Sequence, residues 1–161
     1  MIREAAEFAE RAHEGVYRKG TKIPYITHPM ETAAIVTAFT NEPEMIAAAL
    51  LHDVIEDAGV TKEELEEKFG SRVAFLVESE SEDKSRSWME RKGTTVEHLK
   101  SATRDEKILA LADKLSNIRS TVRDYLVLGD EVWQRFNQKD KEMQGWYYKG
   151  VAEALKEFKG H

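Results

Sequence analysis

The chain has 161 residues, with 30 acidic and 24 basic side chains and a formal net charge of -6. This length suits one compact domain, which we expect to span residues 1–161. The sequence has no cysteine, which excludes disulfides, thiolate nucleophiles and sulfur-rich zinc sites and fits a reducing, cytoplasmic compartment. The acidic balance argues against nucleic acid and anionic membranes as partners, so a polyanion would need a local basic pocket.

No secretion signal or membrane span is predicted. The first fifteen residues alternate charge with alanine, and no run of about eighteen apolar residues occurs anywhere in the chain. We therefore expect a protein that is not secreted and does not cross a membrane.

Helical periodicity dominates the start of the chain. A first helix with an alanine-rich apolar face is predicted to stop near Gly15, and an irregular segment with turn-forming glycine and proline follows. Pro29 suits the first position of a second helix that runs to about Phe39. His28 would then lie at the N-terminal mouth of that helix.

Proline and capping residues mark the next helices. Pro43 opens a third helix, which the apolar pattern continues without a break to Gly59. Thr61 and Glu64 form a capping box for a short helix. Ser71 is predicted to cap the helix after that one.

The C-terminal half also reads as helical. Residues 79–92, SESEDKSRSWMERK, break the periodicity and are predicted to form a mobile loop. Thr103 and Glu106 form a second capping box before KILALADKLSNIRSTV, a wide and largely buried helix. A last, aromatic-rich helix is predicted over residues 139–158. No segment alternates as a strand does, so the pattern predicts an all-α fold.

Four ionisable residues follow the apolar part of the third predicted helix, in the segment AAALLHDVIEDA. His52 and Glu56 are four residues apart, as are Asp53 and Asp57, so one continuous helix would hold all four within about one and a half turns. The preceding residues are all apolar, so the start of this group faces protein. Because a buried, unpaired carboxylate costs several kcal/mol, on the order of 3 or more, a cationic partner is needed. A metal ion supplies one.

Two other segments offer matching groups. Asp113 interrupts the apolar stripe of its helix, Asn117 follows on the same face, and His28 comes from a third element. Taken alone, a histidine such as His52 is more often a packed imidazole. Glu56 and Asp57 would then be surface acids at a solvated helix end. A second buried acid on another helix favours the metal. Two imidazoles and two carboxylates suit manganese, iron, zinc or magnesium, with open positions for water or substrate.

The sequence resembles a known family at four residues and in three longer motifs. The H, HD, D order of HD-domain metal-dependent phosphohydrolases is matched by His28, by the adjacent His52 and Asp53, and by Asp113. The sequence also resembles the hydrolase domain of the RelA/SpoT family, through the motifs YRKGTKIPYITHP, LLHDVIEDA and LADKLSNI. They are most similar to its free-standing small alarmone hydrolases, of the metazoan SpoT-homologue type. The resemblance covers about residues 5–123.

The resemblance implies a single-domain helical HD-domain bundle and an enzyme of the stringent response. The implied reaction removes the 3′-pyrophosphate of ppGpp or pppGpp, giving GDP or GTP and pyrophosphate. One divalent ion, usually manganese, would be bound by the four residues that match the family's metal ligands, His28, His52, Asp53 and Asp113. Glu56 and Asp57 match its acidic pair, which is thought to position and deprotonate the attacking water.

The same resemblance implies nucleotide contacts. Arg18 and Lys19 match a pair that lies against the nucleotide, where a guanidinium plane can stack on a purine and a lysine can meet phosphate charge. Tyr25 matches a position near the nucleotide, and Asn117 matches one expected to bond the sugar or its 3′ side. Weaker signals come from the charged loop and the last helix, at Lys84, Arg91, Lys92, Tyr147 and Tyr148.

Other functions stay open at this point. A ribose-phosphorylated nucleotide such as NADPH could replace the alarmone as substrate, because the metal chemistry would be the same. A sensor that binds alarmone without turnover is a third interpretation, which the presence of both Glu56 and Asp57 disfavours. The C-terminal aromatics leave homo-oligomerisation open, and alarmone synthesis is not expected from 161 residues.

Overall fold

The computed structural model describes residues 1–161, and the chain forms a helical bundle without β-strands. Its only extended pairing is an isolated bridge between Tyr17 and Pro24. Nine α-helices and two 3₁₀ segments make up the fold, and the prediction of an all-α protein is confirmed. The α-helices are α1 (Ile2–Ala12), α2 (Thr27–Val36), α3 (Pro43–Leu51), α4 (Val54–Ala58), α5 (Lys62–Phe69), α6 (Ser71–Ser79), α7 (Trp88–Ser101), α8 (Arg104–Leu128) and α9 (Lys141–Ala154). The 3₁₀ segments are Gly129–Arg135 and Lys156–Phe158.

Helix α3 lies at the centre of the bundle. Its residues from Ala47 to Leu51 are all buried, as expected of a helix that is apolar on every side. Helices α1, α2, α6 and α8 pack around it, and one continuous hydrophobic core results. The C-terminal end of α3 therefore delivers His52 into the interior of the protein.

The two predicted capping boxes are confirmed. Thr61 accepts a hydrogen bond from the Glu64 amide while Glu64 accepts one from the Thr61 amide, and Thr103 and Glu106 do the same at the start of α8. A side-chain cap satisfies amide groups that the first helical turn leaves without partners. Local sequence thus sets where α5 and α8 begin.

The predicted continuous helix from Pro43 to Gly59 is wrong. The α-helix ends at Leu51 and restarts at Val54, because Asp53 adopts φ -100° and ψ -5°, in the bridge region beside the helical one. His52 and Glu56 therefore do not sit one turn apart on a single helix. The break turns Asp53 back beside His52.

The predicted loop over residues 79–92 is only partly correct. Ser87 and Glu90 form a third capping box that the sequence pattern S-x-x-E already contained, so α7 starts at Trp88. The irregular part is confined to residues 80–87. Ser71 does not cap α6 as predicted, because Gly70 is the capping residue and Ser71 is already helical.

Two helix boundaries also move. The second helix begins at Thr27, so His28 lies within its first turn, and it ends at Val36 rather than Phe39. Pro29 is tolerated there because first-turn amides have no partner within a helix. The last helix spans Lys141–Ala154, within the predicted residues 139–158, and none of the helices is long and apolar enough to span a bilayer.

Candidate metal centre

Four side chains from three parts of the fold meet in the interior. The Nε2 atoms of His28 and His52 are 3.1 Å apart, and Asp113 Oδ1 lies 3.0 Å from the first and 3.3 Å from the second. Asp53 Oδ2 lies 3.0 Å from His52 Nε2 and 3.5 Å from His28 Nε2. All four residues predicted as metal ligands are therefore brought together, at the first turn of α2, the α3–α4 junction and the middle of α8.

The hydrogen bonds of the two imidazoles assign their tautomers. His52 Nδ1 lies 2.7 Å from the Ala49 carbonyl oxygen, which can only accept, so Nδ1 carries the proton. His28 Nδ1 lies 2.8 Å from the hydroxyl of Ser116, which donates its own proton to Glu31 at 2.7 Å. His28 Nδ1 must then donate as well. With Nδ1 protonated in both rings, Nε2 is the ring atom that faces the cluster, where it can bind either a proton or a metal ion.

This donor set fits a divalent cation. The two Nε2 atoms face each other, and one carboxylate oxygen each of Asp113 and Asp53 completes the group. Burial opposes charge here, yet Asp53 and Asp113 raise the pKa of His52 well above its ordinary value. Burial likewise opposes ionisation of Asp113, but Lys114 and the two imidazoles hold the pKa of Asp113 well below its usual range. The site favours positive charge, and mixed nitrogen and oxygen donors suit manganese, iron, zinc or magnesium.

Two of the predicted substrate residues hydrogen-bond the cluster, and a third is linked to it through one of them. Tyr25 donates a 2.6 Å hydrogen bond to Asp53 Oδ2, and burial together with Asp53 raises the pKa of Tyr25, so the phenol keeps its proton. Asn117 donates to Asp113 Oδ1 at 2.9 Å, and Arg18 donates to Asn117 Oδ1 at 3.2 Å. These bonds connect the two cluster carboxylates to side chains that line the cavity described below.

The predicted acidic pair lies on the short helix α4. The Glu56 carboxylate accepts a hydrogen bond from the Glu82 amide, and burial, only partly offset by that bond, raises the pKa of Glu56. Asp57 is exposed and lies 3.4 Å from Lys84 Nζ. Neither carboxylate hydrogen-bonds the four cluster residues. Lys84 contacts α4, and it does not line the cavity described next.

A cavity of about 290 Å³ opens beside the cluster. The predicted residues Arg18, Lys19, Tyr25 and Asn117 all line it. Its walls combine aromatic rings with positive charge, and Asp124 is their only acid. The cationic lining residues are Arg18, Lys19, Arg91, Lys92, Lys114 and Arg135, and the aromatic ones are Tyr25, Trp88, Trp133, Phe136, Tyr147 and Tyr148. A protein of net charge -6 thus presents a strongly basic pocket next to its buried carboxylates.

Lys114 is a functional candidate that sequence reasoning missed. Its ammonium contacts Asp113 Oδ2 and lies 3.6 Å from Glu80 Oε2, which is also buried. Burial raises the pKa of the Glu80 carboxyl to about 7, because its effect is larger than the opposing effect of the Lys114 charge. A lysine directly after the aspartate in an otherwise apolar stripe was the available signal.

The remaining omissions had weaker signals. Ser116 and Glu31 act through His28, and nothing in their spacing distinguishes them from ordinary helix residues. Trp133, Arg135 and Phe136 belong to the 3₁₀ segment or the residue after it, where no helical periodicity exists to place them on a face. Sequence periodicity therefore finds the cluster but not the far wall of the cavity.

The fold and the cluster together define a class: an all-α protein in which a His–Asp pair at a helix junction meets a histidine and an aspartate from two other helices. A family model described as HD domain matches residues 5–139. The guanosine-3′,5′-bis(diphosphate) 3′-pyrophosphohydrolases MESH1 of Xenopus tropicalis and Homo sapiens are each 40% identical over 126 residues, which are 76% of this chain and 70% of theirs. The chain belongs to the HD domain family, and the resemblance to its RelA/SpoT-type members is confirmed.

Solved structures agree with this assignment. A structure described as a metazoan ortholog of SpoT that hydrolyses ppGpp superimposes with a TM-score of 0.80 at 30% identity, covering 96% of this chain and 84% of that one. The structure of lmo0812 from Listeria monocytogenes matches with a TM-score of 0.75 at 36% identity, over 80% and 83% of the two chains. The predicted HD-domain helical fold is confirmed.

Proposed function

We propose that this protein is a metal-dependent pyrophosphohydrolase that removes the 3′-pyrophosphate of ppGpp and pppGpp, giving GDP or GTP and pyrophosphate. The observation that carries the proposal is the junction of a His–His–Asp–Asp cluster with a basic, aromatic cavity. The names of the MESH1 relatives, 40% identical to this chain, support the substrate class.

The metal-binding role falls to His28, His52, Asp53 and Asp113, and manganese is the proposed ion. When bound, the ion would supply Lewis acidity that lowers the pKa of water and offsets phosphate charge. The backbone carbonyl of Ala49 holds one imidazole in its tautomer, and the Ser116 hydroxyl holds the other. Tyr25 and Asn117 fix the two carboxylates by donating hydrogen bonds to them.

Glu56 is the proposed proton acceptor for the attacking water. A carboxylate whose pKa is raised by burial binds a proton more tightly than an exposed one, which makes it the stronger base. Asp57 is exposed beside Lys84, and its proposed role is to orient the water with Glu56. The backbone bond from Glu82 fixes the Glu56 carboxylate in place.

The cavity walls support nucleotide recognition. The guanidinium of Arg18 lies 5.6 Å from the Tyr25 ring centre, and Lys19 Nζ lies 5.9 Å from that of Phe136, so charge and aromatic faces alternate. Burial, followed by the nearby Lys92, lowers the pKa of Lys19. Polyphosphate would relieve this crowding of positive charge. Arg18 is therefore the proposed contact to the purine base and Lys19 the proposed contact to phosphate, with Asn117 on the sugar side.

The test is a product assay on purified protein stripped with a chelator and reloaded with manganese. We expect ppGpp to yield GDP and pyrophosphate only after reloading. Absence of both products would overturn the proposal, as would tight ppGpp binding without turnover. If the kcat/KM for phosphate release from NADPH exceeds that for ppGpp in the same assay, NADPH takes the place of the alarmone as the proposed substrate.

Ser116→Ala is expected to weaken manganese binding about 10- to 100-fold, because His28 loses the partner that fixes its tautomer. The measurement is calorimetric titration of chelator-treated protein with manganese. Ser120→Ala is the matched control, since Ser120 lies one turn further along α8 and bonds only Arg123. Equal affinities for the two variants would contradict the assigned role of Ser116.

Three finer points stay predictions. Manganese as the physiological ion rests on the donor set and the family resemblance. A cytoplasmic location rests on composition, and a single domain over residues 1–161 rests on length. Homo-oligomerisation also stays open, to be read from the molar mass in solution.

A further inference from the structure

The hydroxyl of Tyr147 is buried without a hydrogen-bond partner in the chain. Only four buried side-chain polar atoms share this property: Tyr147 Oη, Arg91 Nε and both ring nitrogens of His13. An unsatisfied buried donor is costly, and native proteins keep few of them. Tyr147 and Arg91 both line the cavity beside the metal cluster. Two of these rare donors therefore border the space where a substrate would bind.

Packing fixes the position of the Tyr147 ring. The residue is 4% exposed, and its ring centre lies 6.1 Å from that of Trp88 and 5.4 Å from that of Tyr148. Lys92 Nζ lies 5.1 Å from the same ring centre. Burial raises the pKa of Tyr147, with Lys114 acting against it and Asp113 adding to it. The phenol stays protonated, so it can donate a hydrogen bond at neutral pH.

Lys114 offers a charged donor on the same cavity wall. Its ammonium has three N–H groups, and its two acidic neighbours are Asp113, in hydrogen-bond contact, and Glu80, 3.6 Å away. At least one N–H is left for another acceptor.

We propose that Tyr147 and Lys114, with Arg91, form a subsite that binds the phosphoryl oxygens of the group being cleaved. The subsite rests on the proposed function and assigns it a recognition element for the 3′-pyrophosphate. A phosphoryl oxygen is acceptor-only and anionic, which matches a set consisting of one phenol, one ammonium and one guanidinium donor. Lys114 directly follows Asp113, so the subsite adjoins the metal ligands rather than the far end of the cavity.

The test compares Tyr147→Phe with Tyr148→Phe in manganese-loaded protein. Tyr148 lines the same cavity but is half-buried, so its hydroxyl can reach water. Calorimetry with inorganic pyrophosphate and, separately, with GDP should show about tenfold or greater weakening of pyrophosphate binding in Tyr147→Phe alone. GDP binding should change less than twofold. The melting temperature of free Tyr147→Phe should equal or exceed that of the wild type, because the lost hydroxyl had no partner.

Two results would overturn the subsite. They are unchanged pyrophosphate affinity in Tyr147→Phe and equal weakening of GDP and pyrophosphate binding. A lower melting temperature together with unchanged affinity would show that the hydroxyl makes a structural bond within the protein. The hydrolase proposal fails separately: wild-type protein that binds pyrophosphate through Tyr147 but releases none from ppGpp would support the subsite and contradict the enzyme.

Discussion

Asp113→Asn is expected to lower the rate of ppGpp hydrolysis about a thousandfold, equivalent to about 4 kcal/mol of lost transition-state stabilisation. Asp113 Oδ1 lies within 3.3 Å of both cluster imidazoles, and its second oxygen contacts Lys114. An amide removes the negative charge that a divalent cation needs. Manganese affinity, measured by titration, should therefore fall with the rate.

Asp105→Asn is the matched control for this variant. Asp105 lies in the first turn of the same helix, and its carboxylate bonds Arg72 at the surface. We expect its rate within twofold of the wild type, since exposed ion pairs contribute little. Circular dichroism should first establish that Asp113→Asn is folded, because Lys114 loses a partner. A folded Asp113→Asn protein with more than a tenth of the wild-type rate would contradict the metal-ligand role.

Glu56→Gln is expected to reduce kcat by about 10² to 10⁴ while manganese affinity stays unchanged. Glutamine can still accept the hydrogen bond from the Glu82 amide through its side-chain oxygen, so the local fold is preserved. It cannot accept a proton from water. Kinetic assays and metal titration of the same sample separate these two effects. Glu67→Gln, on an exposed face of α5, should match the wild type.

The pH dependence of kcat is a second test of the role of Glu56. Burial raises the pKa of Glu56 above its ordinary value near 4.5, and a general base acts in its ionised form. The wild-type kcat should therefore fall as pH drops through that raised pKa, and Glu56→Gln should lack this acid limb. A retained limb in Glu56→Gln, or a larger loss of kcat in Asp57→Asn, would transfer the base role elsewhere.

Sequence patterns predicted the helices best where local chemistry decides. Capping boxes and apolar stripes act within one or two turns, so the starts of α5 and α8 were found correctly. The break at Asp53 was missed because the residues from Ala47 to Asp57 fit one helix by pattern alone. What bends the chain there is tertiary, because His52 turns toward His28, 24 positions away, and Asp53 turns toward Tyr25, 28 positions away.

The site was predictable to the extent that buried charge requires a partner. His52, Asp53 and Asp113 stood out because each interrupts or ends an apolar segment. His28 was found by its place at the mouth of a helix, beside Pro29. Ser116 did not stand out, since a serine inside a helix reads as neutral until its hydroxyl is seen between His28 and Glu31. Long-range contacts of that kind have no period in the sequence.

The cavity explains how an acidic protein could bind a polyanionic nucleotide. Net charge describes the field at a distance, whereas binding depends on the charges that line the pocket. Four of the cationic lining residues, Arg18, Lys19, Arg91 and Lys92, come from two separate segments, and folding brings them to one opening. The composition excluded a broad basic surface, and a local basic pocket was the form of polyanion binding left open.

Anomalous diffraction from crystals grown with manganese tests the central claim most directly, namely that four side chains from separate parts of the fold bind one divalent cation. We predict a single strong peak at the manganese absorption edge, about 2.0–2.3 Å from Nε2 of His28 and His52 and from one carboxylate oxygen each of Asp53 and Asp113. A peak bound by other side chains, or no peak between these four in protein saturated with manganese, would contradict the account.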